Sequence, residues 1–337
     1  MNYLIWKGKD SRNIKGLVIC ELPPITKPQM RIAETTINGK DGSMIEELGY
    51  ASYDKTLSIG LTRDANIDEV MQYFTGDGEV VFSNEADKYY RGVIVKQIDY
   101  ARLVRFRKAN VVFRVQPFKY EYKEEVLTVT SNNVFDRSSE KTNTYIGEDG
   151  KEITSSDNTF IKQEIMPNSN KYVMFYKSKY GNPYVRLSYY NGNTFISSQT
   201  SSVAGYAFTV PSNCTKIDIR VDADTDYFVN LQIEAGAVPT ICVPTNSGNY
   251  FAKPIIEIKG LGTIEFAVNG NTYFQYTFPD GEDTVIIDSE KQDAYLGTVL
   301  KNRNMIGEFP IFGVGTNQIT WDGLIHEITI SSKSRWL

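Results

Sequence analysis

The chain has 337 residues, enough for two or three domains and for sizeable cores. Its formal net charge is −5, so it lacks the basic footprint of a nucleic-acid or anionic-membrane binder. Aromatics make up 12 %, led by 22 Tyr and 17 Phe, and with many turn dipeptides they favour strands over helices.

Cys20, Cys214 and Cys242 are scattered without a CxxC spacing, and His326 is the single histidine. A Cys/His zinc site is therefore not expected, and no metal or cofactor is assigned. Cys214 and Cys242 could pair, but a reduced cytoplasmic chain is the plainer reading. The apolar run at the N-terminus is too short for a signal peptide, and no span of about 20 apolar residues occurs. A soluble protein made without export is expected.

In chain order, Met1–Trp6 opens as a strand, and Gly16–Leu22 is a second, stopped by Pro23-Pro24. Asn38-Gly39 and Asp41-Gly42 then fall almost back to back, and both dipeptides tolerate the positive φ of tight turns. From Tyr53 to Leu61 apolar and polar residues alternate with period two, a half-buried strand. The turn-rich stretch before it is either a projecting hairpin or a sheet corner. One helix is predicted: Asn66 is a strong N-cap, Glu69 can close a capping box, Ile67, Val70, Met71 and Phe74 share a face, and Gly76 ends it. Strands resume at Gly78–Phe82, Tyr89–Ile98 and Asn110–Val115. Arg102, Arg105, Arg107 and Lys108 form a basic patch, readable as a solvated face or as an inter-subunit surface.

Composition shifts after residue 122, with Ser, Thr and Asn crowding Thr128–Asn143 and a hairpin tip at Gly147–Gly150. Short strands recur at Thr159–Ile165, Tyr172–Ser178, Val185–Tyr190, Tyr206–Val210, Lys216–Val221 and Phe228–Ile233, the pattern of a sandwich or jelly roll. Aromatics are dense here. Most belong to a core, but Tyr180, Tyr184 and Tyr190 lie near loop residues and are candidate carbohydrate contacts, since a sugar's C–H face stacks on an aromatic ring. Asp218, Asp222, Asp224 and Asp226 could hold Ca²⁺, although their even spacing also follows from solvated alternation on a strand.

In the last segment Ile264, Phe266 and Val268 alternate into Asn269-Gly270, and Phe274, Tyr276 and Phe278 return, a hairpin. A final hairpin is predicted around Asp322-Gly323. His326 is placed in register with Leu324, Ile328 and Ile330 on its apolar face, a core or interface residue. No nucleotide-binding loop, nucleophile elbow or zinc-protease motif occurs, so no catalytic residue is assigned.

Two stretches carry a resemblance. Residues 1–122 resemble the N-terminal domain of siphophage distal tail proteins, the Dit family, in Trp6–Asp10, Ile37–Gly42 with Gly49-Tyr50, the short helix, and Asp87–Gly92. Residues 248–336 are similar to that family's C-terminal galectin-like domain in Gly248–Ile255, Gly260–Gly262, Val268–Gly270, Ile286–Asp288, Gly307–Pro310, Gly315–Asn317 and Ser334–Trp336. Residues 131–244 resemble carbohydrate-binding modules of phage baseplates, in Phe208–Pro211 and Asn230–Gly236 closing on Pro244.

The resemblance implies a mainly β chain of three parts. These are a ring-forming (belt) β-sandwich over 1–122 with one short helix, an inserted jelly-roll module over 131–244, and a discontinuous galectin-like β-sandwich made of 123–130 and 245–337. It implies a structural, non-enzymatic baseplate hub of a phage or prophage tail tip, assembled in the host cytoplasm. Six copies would form a ring between the major tail (tube) protein and the tail-associated fibre or lysin protein, with a receptor-binding protein as a further partner. The insert would bind host cell-wall polysaccharide, and neither specific nucleic-acid binding nor a membrane is implied. Asn38, Gly39, Asp41 and Gly42, with Arg102, Arg105 and Arg107, become candidate subunit contacts. The alternative is a cell-wall glycan hydrolase or lectin acting through the insert.

Overall fold

A computed structural model of the chain describes residues 2–99, 108–124, 126–135, 140–146, 152–178, 184–222, 228–236 and 241–337. It is mainly β, with one α-helix among the described residues. Two compact units divide it: Met1–Glu125 with Ser247–Ala252 and Lys333–Leu337, and Val126–Asn246 with Lys253–Ser332.

The first unit contains β1 (Leu4–Trp6), β2 (Lys9–Asp10), β3 (Leu17–Glu21), β4 (Met30–Thr36), β5 (Ser43–Tyr50), β6 (Tyr53–Leu61), α1 (Ile67–Tyr73), β7 (Asp77–Phe82), β8 (Lys88–Ile94) and β9 (Lys108–Glu121). Seven of the strands form an antiparallel sheet in the order β2-β1-β7-β8-β9-β6-β3. The short strand Arg335–Trp336 adds to it by pairing with Tyr120 and Lys119 of β9. One core gathers Trp6, Leu57, Ile59, Phe82, Tyr90, Val111 and Phe113 against the helix residues Val70, Tyr73 and Phe74. Period-two alternation sends Val81, Tyr89 and Tyr120 to a smaller cluster on the other face.

The helix begins as its sequence dictates. Asn66 Oδ1 accepts from the backbone N–H of Asp68 at 3.1 Å and of Glu69 at 3.4 Å, and Gly76 has φ +80°. Its apolar face is shifted from the expected one: Tyr73 is buried, while Met71 is 37 % exposed. The reason lies in the Tyr73 hydroxyl, which donates to the carbonyls of Leu4 and Lys9 and so draws that side chain inward.

A polar group is buried beside this core. Lys55 is 3 % exposed, and its Nζ donates to Pro24 O at 2.9 Å and lies 4.7 Å from the Tyr90 ring centroid. Glu85 accepts from the Tyr90 hydroxyl and pairs with Lys119 at 2.5 Å. Asn84 Nδ2 donates to Pro23 O at 2.9 Å, so both prolines that stop β3 are tied down by side chains.

The second unit holds β10 (Val126–Thr130), β11 (Glu140–Ile146), β12 (Glu152–Ile165), β13 (Lys171–Ser178), β14 (Tyr184–Asn191), β15 (Thr194–Ser201), β16 (Ala207–Thr209), β17 (Lys216–Asp222) and β18 (Phe228–Ala235). These are followed by β19 (Thr245–Asn246), β20 (Ile255–Val268), β21 (Asn271–Thr277), β22 (Thr284–Asp288), β23 (Asp293–Leu296), β24 (Val299–Leu300), β25 (Met305–Gly307), β26 (Gly315–Thr316) and β27 (Ile319–Ser331). A five-stranded sheet, β11-β12-β17-β14-β15, and a three-stranded one, β16-β13-β18, share a core of Tyr172, Met174, Leu187, Tyr189, Phe208, Ile219 and Ile233. The remaining large sheet runs β10-β27-β20-β22-β23-β24, with β21 on β20 and β25 on β21. The strand just after the first unit, β10, thus pairs with the last long strand, β27.

Two sequence expectations fail in that sheet. The Asn269-Gly270 hairpin forms, with both residues at positive φ. Asp322-Gly323 makes no hairpin, because β27 runs straight through it. Gly323 has φ +89°, and Asp322 Oδ1 accepts from its N–H, so the dipeptide makes an irregularity within the strand instead of reversing the chain. A second register shift pairs Lys259 with Glu327 and Gly260 with Ile325. His326 is the extra residue at that bulge, so parity flips and it is exposed while Ile325 is buried.

Asn133 joins the two parts of this unit. Its Oδ1 accepts from Phe135 N at 3.0 Å and Ile233 N at 3.2 Å, and its Nδ2 donates to Gly323 O at 3.0 Å and Phe135 O at 3.3 Å. Gln232 Nε2 adds a bond to Trp321 O at 2.7 Å. The sandwich is therefore held to β27 by buried side-chain amides.

Candidate functional site

Two surfaces carry features that folding alone does not account for. The first is the hairpin β4–β5, a two-stranded sheet by itself. It is a free-standing ribbon and not a corner of the main sheet. Its register sets Ile32 opposite Glu47, Glu34 opposite Ile45, and Thr35 opposite Met44. Asn38, Gly39, Asp41 and Gly42 lie exposed at its tip, both glycines at φ +82°.

Apolar residues are displayed along the ribbon: Ile32, Ile37, Met44, Ile45 and Leu48 are 44–62 % exposed. Directly opposite residues share a face, so Ile32 and Ile45 lie on one side and Met44 on the other. A ribbon with apolar groups on both sides buries neither within its own chain. Its base is anchored by Tyr50, edge-on to Phe118 at 6.0 Å and to Tyr250 at 5.9 Å. Arg335 braces those rings from 4.2 Å above Phe118, and its Nε donates to Phe251 O at 2.6 Å. The basic candidates Arg102, Arg105 and Arg107 lie outside the described residues.

The second surface is the face of the five-stranded sheet turned away from its core. Ile217, Ile219 and Val221 of β17 point inward with Val185, Leu187 and Tyr189 of β14, which sets the alternate residues on the opposite face, where Ser188, Asp218 and Arg220 are buried all the same. Register lines these up in rows across the strands. One row joins Lys216, Tyr190 and Phe195. The next joins Glu164, Asp218, Ser188 and Ser198, and a third joins Lys162, Arg220, Arg186 and Thr200.

Tyr184 and Tyr190 thus occupy the same face, six residues apart on one strand, or roughly 20 Å. Tyr184 is 41 % exposed, with the Arg186 guanidinium 5.9 Å from its ring centroid. Tyr190 meets Phe195 edge-on at 5.6 Å and has Lys216 Nζ 4.8 Å from its centroid. Phe195, which the sequence did not single out, is 56 % exposed beside Tyr190. Tyr180 lies outside the described residues, as do Asp224 and Asp226.

Asp218 is not solvated as expected. It is 2 % exposed and accepts from Arg220 Nε at 3.2 Å and Nη2 at 2.9 Å. Burial pushes its carboxyl above the usual carboxylate range, against the pull of Arg220. Its Oδ1 is buried with no hydrogen-bond partner among the described residues. Glu164 lies 3.8 Å from Lys162 and 3.5 Å from Lys216. Among the described residues no group of three or more His, Cys, Asp and Glu could hold a metal, and Cys20, Cys214 and Cys242 are free thiols.

No family model matches the sequence, and no curated protein is similar to it. Among solved structures, the chain is similar to the Dit protein (gp 19.1) of phage SPP1, described as a paradigm of hub adsorption apparatus in phages infecting Gram-positive hosts. The alignment covers 100 % of both chains at 10 % identity, with a TM-score of 0.46.

Proposed function

We propose that the chain is a structural, non-enzymatic subunit of a ring at the distal end of a long phage tail. In this reading six copies form the ring between the tube protein and the tip fibre or lysin, and the sandwich around Tyr184 and Tyr190 contacts host wall polysaccharide. The exposed β4–β5 ribbon carries the proposal. It offers unpaired strand edges and five apolar side chains to a partner, and unpaired edges are the usual template for pairing with another chain. The motif spacing over 1–122 and 248–336 supports the same reading. An acidic chain also suits a channel through which DNA slides without sticking.

The ribbon gives the test. At Gly39 and Gly42 a Cβ would meet nothing within 4 Å, so substitution strains only the left-handed backbone of the tip. Gly39→Val with Gly42→Val, and separately Met44→Glu with Ile45→Glu, should weaken self-association by about tenfold or more, since each buried aliphatic is worth about 1.5–3 kcal/mol. Sedimentation velocity over a concentration series reads this, and the far-ultraviolet circular dichroism of both variants should match the parent, since the folded chain itself is intact. Unchanged association in both would remove the ribbon from the interface.

A further inference from the structure

The first unit buries a lysine whose charge its own stability does not call for. Lys55 is 3 % exposed, and burying an ammonium costs free energy that an apolar side chain of similar length would not. Glu85, whose charge reaches it, is engaged by Lys119 at 2.5 Å and by the Tyr90 hydroxyl. Among the described residues Lys55 forms no ion pair of its own. Its Nζ lies 4.7 Å from the ring centroid of Tyr90, 5.7 Å from that of Tyr53 and 5.8 Å from that of Phe82. The acceptor it finds among these rings is the carbonyl of Pro24, at 2.9 Å.

That carbonyl belongs to the lead-in of the ribbon, residues 22–29, which join β3 to β4 and form no strand. Pro23, Pro24 and Pro28 have no N–H to give. Among the described residues the lead-in gains a backbone–backbone bond only at its end, where Ala51 N–H donates to Gln29 O at 2.8 Å. Before that point side chains hold it. Asn84 Nδ2 donates to Pro23 O at 2.9 Å, Lys55 to Pro24 O, and the Tyr53 hydroxyl to Thr26 O at 3.4 Å. The returning root of the ribbon is held separately, by Tyr50 against Phe118 and Tyr250.

From this we infer that Lys55 and Asn84 are positioning residues for self-association, fixing the lead-in so that the ribbon leaves the sheet in one direction. The inference rests on the ribbon reading above and adds what aims the ribbon. A two-stranded ribbon with no sheet beneath it keeps its direction only as well as its roots are held. Holding them in the free chain lowers the ordering cost that association otherwise meets. A cation suits the outgoing root, because a charged donor binds a carbonyl more strongly than a neutral one and the surrounding ring faces favour it.

Lys55→Met separates this role from a merely structural one. It removes the bond to Pro24 and keeps the apolar stem, so stability at neutral pH should not fall. The Ala51 amide should nevertheless exchange about tenfold faster, because its acceptor Gln29 lies on a lead-in that has lost its strongest tie. Self-association, read by sedimentation velocity, should weaken by about tenfold. Asn84 is exposed, so Asn84→Ala should fold as the parent does and move both readouts the same way by a smaller factor. Exchange is compared in a chain that also carries Met44→Glu and Ile45→Glu, so that loss of the interface does not itself expose Ala51.

Unchanged exchange at Ala51 in both variants overturns the proposal. Faster exchange with association at the parent level overturns it too, since the root is then loosened without consequence. The ribbon reading survives either result provided that Met44→Glu with Ile45→Glu weakens association. Association unchanged in that chain removes the ribbon reading, and the proposal with it.

Discussion

Replacing Asn133 by Ala should lower the stability of the second unit by about 3–4 kcal/mol, the largest single-residue loss expected outside the apolar cores. Asn133 is 5 % exposed, and its amide satisfies four backbone groups on three chain segments. Truncation leaves each of them buried and unpaired, and each such group costs about 1–3 kcal/mol unless water enters. Phe135, which two of these bonds position, is fully buried in the sandwich core. The loss should therefore spread to packing. Hydrogen exchange at the amides of Phe135 and Ile233 is the cleanest probe, since chains of several units need not unfold in one step. Asn133→Asp keeps the acceptor for both amides and loses the donors, so it should fall between. A change below about 1 kcal/mol in the Ala variant would mean that water replaces the amide.

The second large effect is a pH dependence set by Lys55. Burial pushes its ammonium down from 10.5 to about 8, opposed by the Glu85 charge and assisted by Lys119. The folded chain thus sheds this proton at about pH 8, while the unfolded chain keeps it to about 10.4. Between these values the unfolded state binds more protons, so stability rises with pH. The full gain is about 3 kcal/mol. Tyrosines set the upper end. Desolvation raises Tyr53 to about 12 and holds Tyr90 higher still, with Glu85 adding to both. Unfolded tyrosine ionises near pH 10, so above that pH these groups draw the chain toward unfolding. Urea denaturation of the parent should show rising stability from about pH 8 to 10 and a fall beyond. Lys55→Met should flatten the rise, with stability at neutral pH equal or higher, because the lost bond to Pro24 and the ring contact with Tyr90 offset removal of a buried charge. The same slope in both proteins would assign the effect elsewhere.

Much of the fold was legible because local chemistry decides it. Asn66 capped the helix, and Asn269-Gly270 turned the chain, since both act within a few residues. Period-two alternation located β14 and β17. It missed β15, Thr-Phe-Ile-Ser-Ser-Gln-Thr-Ser, whose edge position asks for no apolar face. Asp322-Gly323 misled because a dipeptide that allows positive φ serves a bulge as well as a turn, and only pairing with β20 chooses between them. His326 followed from the same cause, one bulge reversing the face of every residue beyond it.

The candidate surfaces were less visible. The Asn38–Gly42 turn could be read, but whether it capped a free ribbon or a sheet corner depended on what the main sheet left unpaired. Tyr184 and Tyr190 were singled out by their loop neighbours, and the structure sets both on one face of β14. The cationic row between them was hidden, because Lys162, Arg186 and Arg220 become neighbours only through strand register. Asp218 looked solvated by its spacing and is buried instead, since alternation assigns a face and not what covers it.

The mass of the native particle bears most directly on a ring built through the ribbon. Multi-angle light scattering on the purified full chain, at rising concentration and moderate salt, should converge on a particle of six 38.2 kDa chains. A particle that remains a single chain at every concentration would contradict the account.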